Sequence, residues 1–497
     1  MSGIPQATGD SGEAAEAQCF VAGQWRATGE RVERVGPYLR RVVSVAHAAD
    51  AATVDEALAY AQGSRAVVEQ LSPASRAAVL ERAADLVDGQ RDAFARLLAL
   101  ELGKPVKDGR GEMIRVADTL RVSAAEARRI GGEVLPTAGW QRGVGTTAMT
   151  YHAPVGVVAA ITPFNAPANL LTHKLAASFA AGNTTIVKPP PQAPAVSTRL
   201  VQVLLDAGMP PEAVQVVHGG AEVGGRVCES PVVSAVSFTG SAAAGAAVSR
   251  AAGPKRLVLE LGGNAATIVC EDADVDAAAV LCAATGFSNS GQSCISVQRI
   301  YAHRSVFDRF VAGLTAAVRG LRVGDPLDDR TDVGSMVDDE AAARLEKWIA
   351  EAAAGGATVT CGGTRDGATL APTVVTEPDP SSAVVVEEVF GAAVAVLPYD
   401  DFGEVVEVCN QSRFGLQAGV FTQDIARVLE TWRRLEVGGL VVNGTSNFRL
   451  DHVPFGGVKN SGIGRESPRW MIDDYTVTKT LILRGMSIWG DEPAAGA

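Results

Sequence analysis

Between Val155 and Glu260 the chain alternates short apolar runs with helix-length segments, and this alternation limits the folds open to it more than any other feature. Val155–Thr162 is a continuous apolar run, the pattern of a strand buried on both faces. After Pro163 to Pro167, the spacing of Leu171, Leu175 and Phe179 predicts a helix over 168–182, stopped at Gly182-Asn183. Thr184–Lys188 reads as the next strand and 195–207 as the next helix, closed by Gly208-Met209-Pro210. Ala213–His218, a short helix, Val233–Thr239, an Ala-rich helix from Ser241 and Leu257–Glu260 continue the series. This βαβα order predicts a parallel, doubly wound sheet with ligands at the carboxyl ends of its strands. A second alternating series from about 300 to 445 predicts a second α/β domain, and neither half carries a clear internal repeat.

A chain of 497 residues is too long for one ordinary core, so two or three domains are expected. Its hydrophobic share of 47% and charged share of 20% suit a soluble globular protein. The net charge of −12 argues against a nucleic-acid or anionic-membrane partner held by bulk electrostatics. Seven cysteines (Cys19, Cys228, Cys270, Cys282, Cys294, Cys361, Cys409) are scattered without metal-type pairs. They predict a reducing compartment, no structural disulfides and no metal. Residues 1–17 lack the basic start and apolar core of a signal peptide, and their composition predicts a disordered tail, as does that of 491–497. A cytoplasmic protein is the expectation.

Two residues stand in distinctive frames. Glu260 ends an apolar run and opens Glu-Leu-Gly-Gly-Asn264, where partial desolvation would raise its pKa toward that of a general base. Cys294 follows Asn289-Ser-Gly-Gln-Ser293, small and glycine-containing residues that let the chain turn tightly and expose a nucleophilic sulfur. A surface glutamate and a buried structural cysteine are the plainer alternatives for each alone. No Gly-x-Gly-x-x-Gly follows a strand, and no Gly-x4-Gly-Lys-Ser/Thr occurs. Phe238-Thr-Gly240-Ser241-x3-Gly245 instead runs from strand to helix, and its small residues would let a pyrophosphate approach the helix N-terminus. Lys188, at a strand's end, is either a cofactor-hydroxyl contact or an ordinary surface lysine.

Read in order, these segments resemble the aldehyde dehydrogenase superfamily. The resemblance rests on Thr162-Pro163-Phe164-Asn165, Val187-Lys188-Pro, Phe238-Thr-Gly-Ser241, Glu260-Leu261-Gly-Gly-Asn, Gly291-Gln-x-Cys294, Glu387-Glu388-Val-Phe390-Gly, Val442-Asn-Gly444 and Pro454-Phe-Gly-Gly through Arg465-Glu466. It implies an α/β fold with two doubly wound parallel-sheet domains and a small β-flap for oligomerisation. The nucleotide-binding domain would take 18–131 and 154–261, the catalytic domain 262–476, and the flap 132–153 with 477–490. A homodimer or homotetramer is implied. So is NAD(P)-dependent oxidation of an aldehyde to the carboxylate through a Cys294 thiohemiacetal and thioacyl-enzyme, with Glu260 activating water and Asn165 stabilising the oxyanion. Thr162, Pro163, Phe164, Lys188, Gly240, Ser241, Gly245, Leu261, Glu388 and Phe390 are the implied cofactor residues. Pro189-Pro190-Pro191 stands where many NAD-using relatives carry a glutamate that repels the extra phosphate of NADP, so NAD is expected with NADP left open.

The resemblance extends to the lactaldehyde, phosphonoacetaldehyde and non-phosphorylating glyceraldehyde-3-phosphate dehydrogenase branches through Cys294-Ile-Ser-Val-Gln-Arg299 and Asn447-Phe-Arg-Leu-Asp-His452. Ser293 and Ile295 flank the nucleophile and would touch substrate. Arg115 and Arg449 are candidates to hold a phosphonate or phosphate through a bidentate fork, with structural ion pairs as the alternative for each. A small neutral hydroxy-aldehyde such as lactaldehyde is the alternative substrate. A CoA-acylating enzyme is disfavoured by Glu260, and a non-catalytic relative by the joint presence of Cys294, Glu260 and Asn165. His173 reads as a packing or capping residue, and Arg299 as structural.

Overall fold

A computed structural model describes residues 13–486 and residue 488. Residues 1–12 and 491–497, expected as tails, lie outside the described residues, as do flap residues 487, 489 and 490. The expected tail is corrected at its end, where Ala15–Ala17 forms a strand paired in parallel with Ser44 to Ala46. Composition alone disfavours a strand there. Tertiary contacts override it, for Glu16 meets His47 at 2.7 Å and Arg31 at 3.2 Å.

The first large sheet contains five parallel strands in the spatial order Arg256–Glu260, Ala235–Thr239, Val157–Ile161, Thr184–Lys188, Val214–Val216. In chain order these are strands five, four, one, two and three, so the winding reverses between Val157–Ile161 and Ala235–Thr239. Their carboxyl ends open a crevice at that switch point. Antiparallel edges are added by Gly462–Ile463 on one side and by Cys19–Val21 with Gln24–Arg26 on the other.

The helix Pro167–Ala180 runs through the interior and is buried along its whole length. Pro167 fits its first turn, where no N–H partner is lost. Gly182 ends it in the left-handed region (φ 89°), with Gly182 N–H bonded to Phe179 O and Asn183 N–H to Ser178 O. Leu171, Leu175 and Phe179 pack into one core with Met113, Val116 and Leu120 of the long helix Val106–Ala127.

The second sheet has seven strands in the order Thr358–Cys361, Thr373–Thr376, Ala393–Tyr399, Arg299–His303, Ala266–Val269, Gln417–Phe421, Gly439–Val442. All its pairings are parallel except that of the Thr358–Cys361 edge. A third, three-stranded sheet pairs Thr476–Arg484 antiparallel to Thr146–Pro154 along their full lengths, with Val134–Leu135 beyond. Trp140, Tyr151, Leu481 and Ile482 are exposed on or beside it.

A buried acid anchors the segment that follows Lys188. Glu101 is wholly buried and accepts the first-turn N–H groups of Ala195 and Val196 in the helix Pro194–Asp206, at 3.0 and 3.1 Å, and the Ser44 hydroxyl at 2.5 Å. Burial raises its pKa to about 7 against the pull of those bonds. Glu101→Ala would orphan three buried donors, and we expect the first urea unfolding midpoint to fall by the equivalent of about 2–4 kcal/mol. An unchanged midpoint would show that water replaces the carboxylate.

Candidate active site

The loop Thr162-Pro163-Phe164-Asn165-Ala166 leaves the strand Val157–Ile161 at the switch point and enters the buried helix. Its backbone is clamped. Lys104 Nζ donates to the Asn165 carbonyl at 2.8 Å, and Asn289 Nδ2 donates to the same oxygen at 3.0 Å. Glu112 pairs with Lys104 and accepts the N–H groups of Ala168 and Asn169 at 2.9 and 3.1 Å. The half-buried Asn165 side-chain amide makes no hydrogen bond to another described residue.

Cys294 follows an unusual turn. Asn289, Ser290 and Gly291 have φ of 50°, 56° and 72°, a left-handed run that costs about 1–2 kcal/mol at each of the first two. Surrounding bonds hold it. The Asn289 N–H donates to Asp108 at 2.8 Å, Ser290 Oγ to Gly334 O at 3.0 Å, and Gln292 Oε1 accepts Val337 N–H at 2.8 Å. The thiol then packs against Ile295, Leu416 and Phe455. Behind it, a Cβ at position 263 would lie 2.0 Å from the Cys294 carbonyl oxygen, so only glycine fits. Burial, then the nearby Glu388 and Glu260, push the thiol up to about 12, so it rests protonated. The Cys294 N–H donates to no described residue.

Glu260 ends its strand with both carboxylate oxygens buried and without partners. Burial, and next the charge of Glu466, hold its pKa well above the ordinary carboxylate range. Burial also opposes ionisation of Glu466, but Lys174 and Arg449 outweigh it and hold that carboxyl well below the range. Lys174 Nζ donates to Glu466 at 2.9 Å and to Thr239 Oγ1 at 2.8 Å, and the Lys174–Glu466 pair is fully buried. Two acids are thus driven apart in pKa, the arrangement by which neighbouring carboxyls take different roles.

The crevice carries groups suited to a dinucleotide. Lys188 Nζ has no ion-pair or hydrogen-bond partner among the described residues, and burial lowers its pKa to about 8. Thr162 Oγ1 is likewise buried without a partner. Ser241 caps the helix Ala242–Ala252, accepting Ala244 N–H at 3.2 Å. Gly240 and Gly245 keep that first turn low, since a Cβ would lie 2.5 Å from the Phe238 ring and 2.4 Å from Leu261 respectively. Glu388 accepts Gly263 N–H at 2.9 Å, and burial raises its pKa to about 7. Phe390 meets Phe164 edge-on at 5.8 Å, beside Pro163. Orphaned hydroxyl, partnerless ammonium, open helix N-terminus and carboxylate fit ribose hydroxyls and a pyrophosphate. No metal-binding group of three or more His, Cys, Asp or Glu residues occurs among the described residues.

The two candidate anion-binding arginines differ. Arg449 is buried, lies 4.1 Å over the Phe455 ring, and meets Glu466 at 3.0 Å and His173 Nε2 at 3.1 Å. Arg115 donates through Nε and Nη2 to both oxygens of Asp451 at 2.9 and 2.8 Å, yet 37% of its side chain stays open. Asp451 also meets His173 Nε2 at 2.9 Å and Asn169 Nδ2 at 3.1 Å. His173 is therefore part of this charge network rather than a capping residue, and burial followed by the charge of Arg449 keeps it neutral. Ser293 Oγ donates weakly to Asn447 Oδ1 at 3.4 Å, and Ile295 is buried beside the thiol. Arg299 bonds Asn264 O and Tyr301, away from these residues.

Sequence reasoning passed over Lys174, Asp451, Lys104, Glu112 and Asn289. Lys174 carried a signal, as a charge inside an otherwise apolar helix. Asp451, between Arg449 and His452, carried none. Lys174→Met would strand Glu466 without its ammonium, and we expect a stability loss of about 3–5 kcal/mol in denaturant unfolding. A loss below about 1 kcal/mol would mean that Arg449 alone suffices.

Residues 25–481 match the profile of the Aldehyde dehydrogenase family. The chain is 42% identical over 465 residues to the 3-sulfolactaldehyde dehydrogenase of Priestia megaterium, covering 93% of this chain and 97% of that protein. It is 33% identical to the lactaldehyde dehydrogenase of Methanococcus maripaludis, covering 94% and 100%. Among solved structures it resembles the NADP-dependent glyceraldehyde-3-phosphate dehydrogenase of Bacillus halodurans complexed with NADP. The TM-score is 0.92, with 33% identity over 95% of this chain and 100% of that one.

Proposed function

The chain belongs to the aldehyde dehydrogenase family, and from that premise we propose that it oxidises a small aldehyde with an anionic sulfonate, phosphonate or phosphate tail to the free carboxylate. The observation that carries the choice of tail is Arg115, whose side chain stays 37% exposed while pairing with Asp451, beside the charge network reaching Phe455 and Cys294. The 3-sulfolactaldehyde relative supports the same class.

Cys294 is the nucleophile in this reading. Its thiol loses a proton to Glu260, whose two oxygens are free to accept, as the sulfur bonds the aldehyde carbon. The carbonyl oxygen becomes an oxyanion facing two unengaged donors, the Asn165 amide and the Cys294 N–H. NAD is the expected cofactor, with NADP admitted by the absence of a carboxylate after Lys188. Lys188, Thr162, Gly240, Ser241, Gly245, Leu261, Glu388 and Phe390 would hold it. When bound, that nucleotide supplies the acceptor for the hydride released as the carbonyl re-forms. Glu260 passes the thiol's proton to solvent, then deprotonates water for attack on the thioester. Cys294 departs as the C–S bond breaks and recovers a proton from Glu260. A buried Glu260 supports water rather than CoA as the acyl acceptor.

A second reading has its own observation. Asp451 already satisfies one edge of Arg115, which favours a small neutral hydroxy-aldehyde such as lactaldehyde. The exposed apolar residues of the third sheet support assembly into a homodimer or homotetramer, and seven free cysteines support a cytoplasmic setting. No described helix is long and apolar enough to cross a membrane.

We expect Cys294→Ala to abolish turnover while fluorescence titration still reports NADH binding; residual turnover would overturn the nucleophile. The kcat of the native enzyme should rise with pH through a limb above the ordinary carboxylate range, as Glu260 loses its proton. For the tail, Arg115→Met should lower kcat/KM for sulfoacetaldehyde and phosphonoacetaldehyde by about a hundredfold and leave lactaldehyde within a few-fold. Equal losses on all three would make Arg115 structural.

A further inference from the structure

Asp451 is the hub of the charged cluster beside Cys294. It meets Arg115 from the helix Val106–Ala127, Asn169 and His173 from the helix Pro167–Ala180, and Arg449 two residues before it, at 3.7 Å. Its own backbone carbonyl accepts Ser467 Oγ at 3.2 Å, which ties the backbone that carries the side chain. Arg449 and Lys174 together hold Glu466. Lys104, just before the helix that carries Arg115, and Glu112, within it, cancel each other.

The charges can be counted at this cluster. Arg115, Arg449 and Lys174 are positive, Asp451 and Glu466 are negative, and His173 stays neutral, which leaves one positive charge in surplus. The charge of an ionised Glu260 is balanced by nearby Arg465. That surplus is reachable only where Arg115 is open, because Arg449 and Lys174 are buried. A buried cluster tolerates a ligand that cancels its charge and resists one that reverses it. Resting on the reading that Arg115 receives an anionic tail, we propose that Asp451 makes this site select a singly charged tail, a sulfonate, over a doubly charged one, a phosphonate or phosphate. A sulfonate carries one charge at any working pH. A phosphate-type group takes its second charge near pH 6 and would leave the cluster net negative. The second charge would also fall on the side of Glu260 and Cys294, both already burdened by neighbouring carboxylates, and would oppose ionisation of each.

The test uses the full-length enzyme with cofactor at about pH 8, where the phosphonate is a dianion. The values of kcat/KM are measured for sulfoacetaldehyde, phosphonoacetaldehyde and lactaldehyde, in the native enzyme and in Asp451→Asn. The native enzyme should prefer sulfoacetaldehyde over phosphonoacetaldehyde by about tenfold or more, the size of one uncancelled charge in a partly screened site. In Asp451→Asn that ratio should fall by about tenfold, since the cluster gains a second surplus charge. A ratio cancels any general loss of active enzyme, so a merely structural role for Asp451 would leave it unmoved. A folded Asp451→Asn with the native ratio overturns the proposal. Should that variant fail to fold, equal or better use of the phosphonate by the native enzyme overturns it alone. Native preference for lactaldehyde over both anions would instead overturn the anionic-tail reading on which the proposal rests.

Discussion

The hydrogen bond from the Asn289 side chain to the Asn165 carbonyl, at 3.0 Å, joins the two halves of the site. Asn165 sits on the loop leaving the first sheet, and Asn289 begins the left-handed run that presents Cys294 ahead of the second. In the proposed mechanism Cys294 and Asn165 must keep their separation to a fraction of an ångström, since small misplacements cost orders of magnitude in rate. Neither sheet alone fixes that distance. One amide spans the gap, and Lys104 holds the same carbonyl from the other side. The backbone strain at Asn289 and Ser290 is retained because Asp108, Gly334 and Gln292 hold the turn on all sides.

Electrostatics then separates the two neighbouring carboxyls. Glu260 and Glu466 lie near enough to feel each other, and of the two only Glu466 makes direct ion pairs, with Lys174 and Arg449. Lys174 makes its pair from a helix with no exposed residue. What remains is a carboxyl at Glu260 with no hydrogen bonds among the described residues, and a thiol at Cys294 that rests protonated. The cluster around Asp451 adds a further layer, tying the helix Val106–Ala127 to the chain segment that supplies Arg449 and Glu466.

The parallel core of the first sheet is legible in the sequence because strands buried on both faces leave continuous apolar runs. Thr184–Lys188 has the same bounds in sequence and structure, and the helix read over 168–182 is observed over Pro167–Ala180. Periodicity is silent on the third sheet, whose strand Thr146–Pro154 mixes buried, half-buried and exposed positions without alternation. The strand at Ala15–Ala17 was hidden for a different reason, since its pairing depends on residues about thirty positions away. At the site, Cys294 and Glu260 stand out through their frames. Asp451 does not, because its importance lies in three partners from distant parts of the chain, Arg115, Asn169 and His173. Arg115 and Arg449 look alike in sequence, and only burial separates the partly exposed side chain from the closed one.

The central claim is that acyl transfer runs through Cys294 and that Glu260 activates the water that ends it. Peptide mapping by mass spectrometry tests it directly on Glu260→Gln, quenched in acid after mixing with NAD and aldehyde. The account predicts that the acyl group, with the mass of the acid product less water, accumulates on the peptide containing Cys294. An unmodified Cys294 peptide beside rapid, unimpaired product release would contradict it.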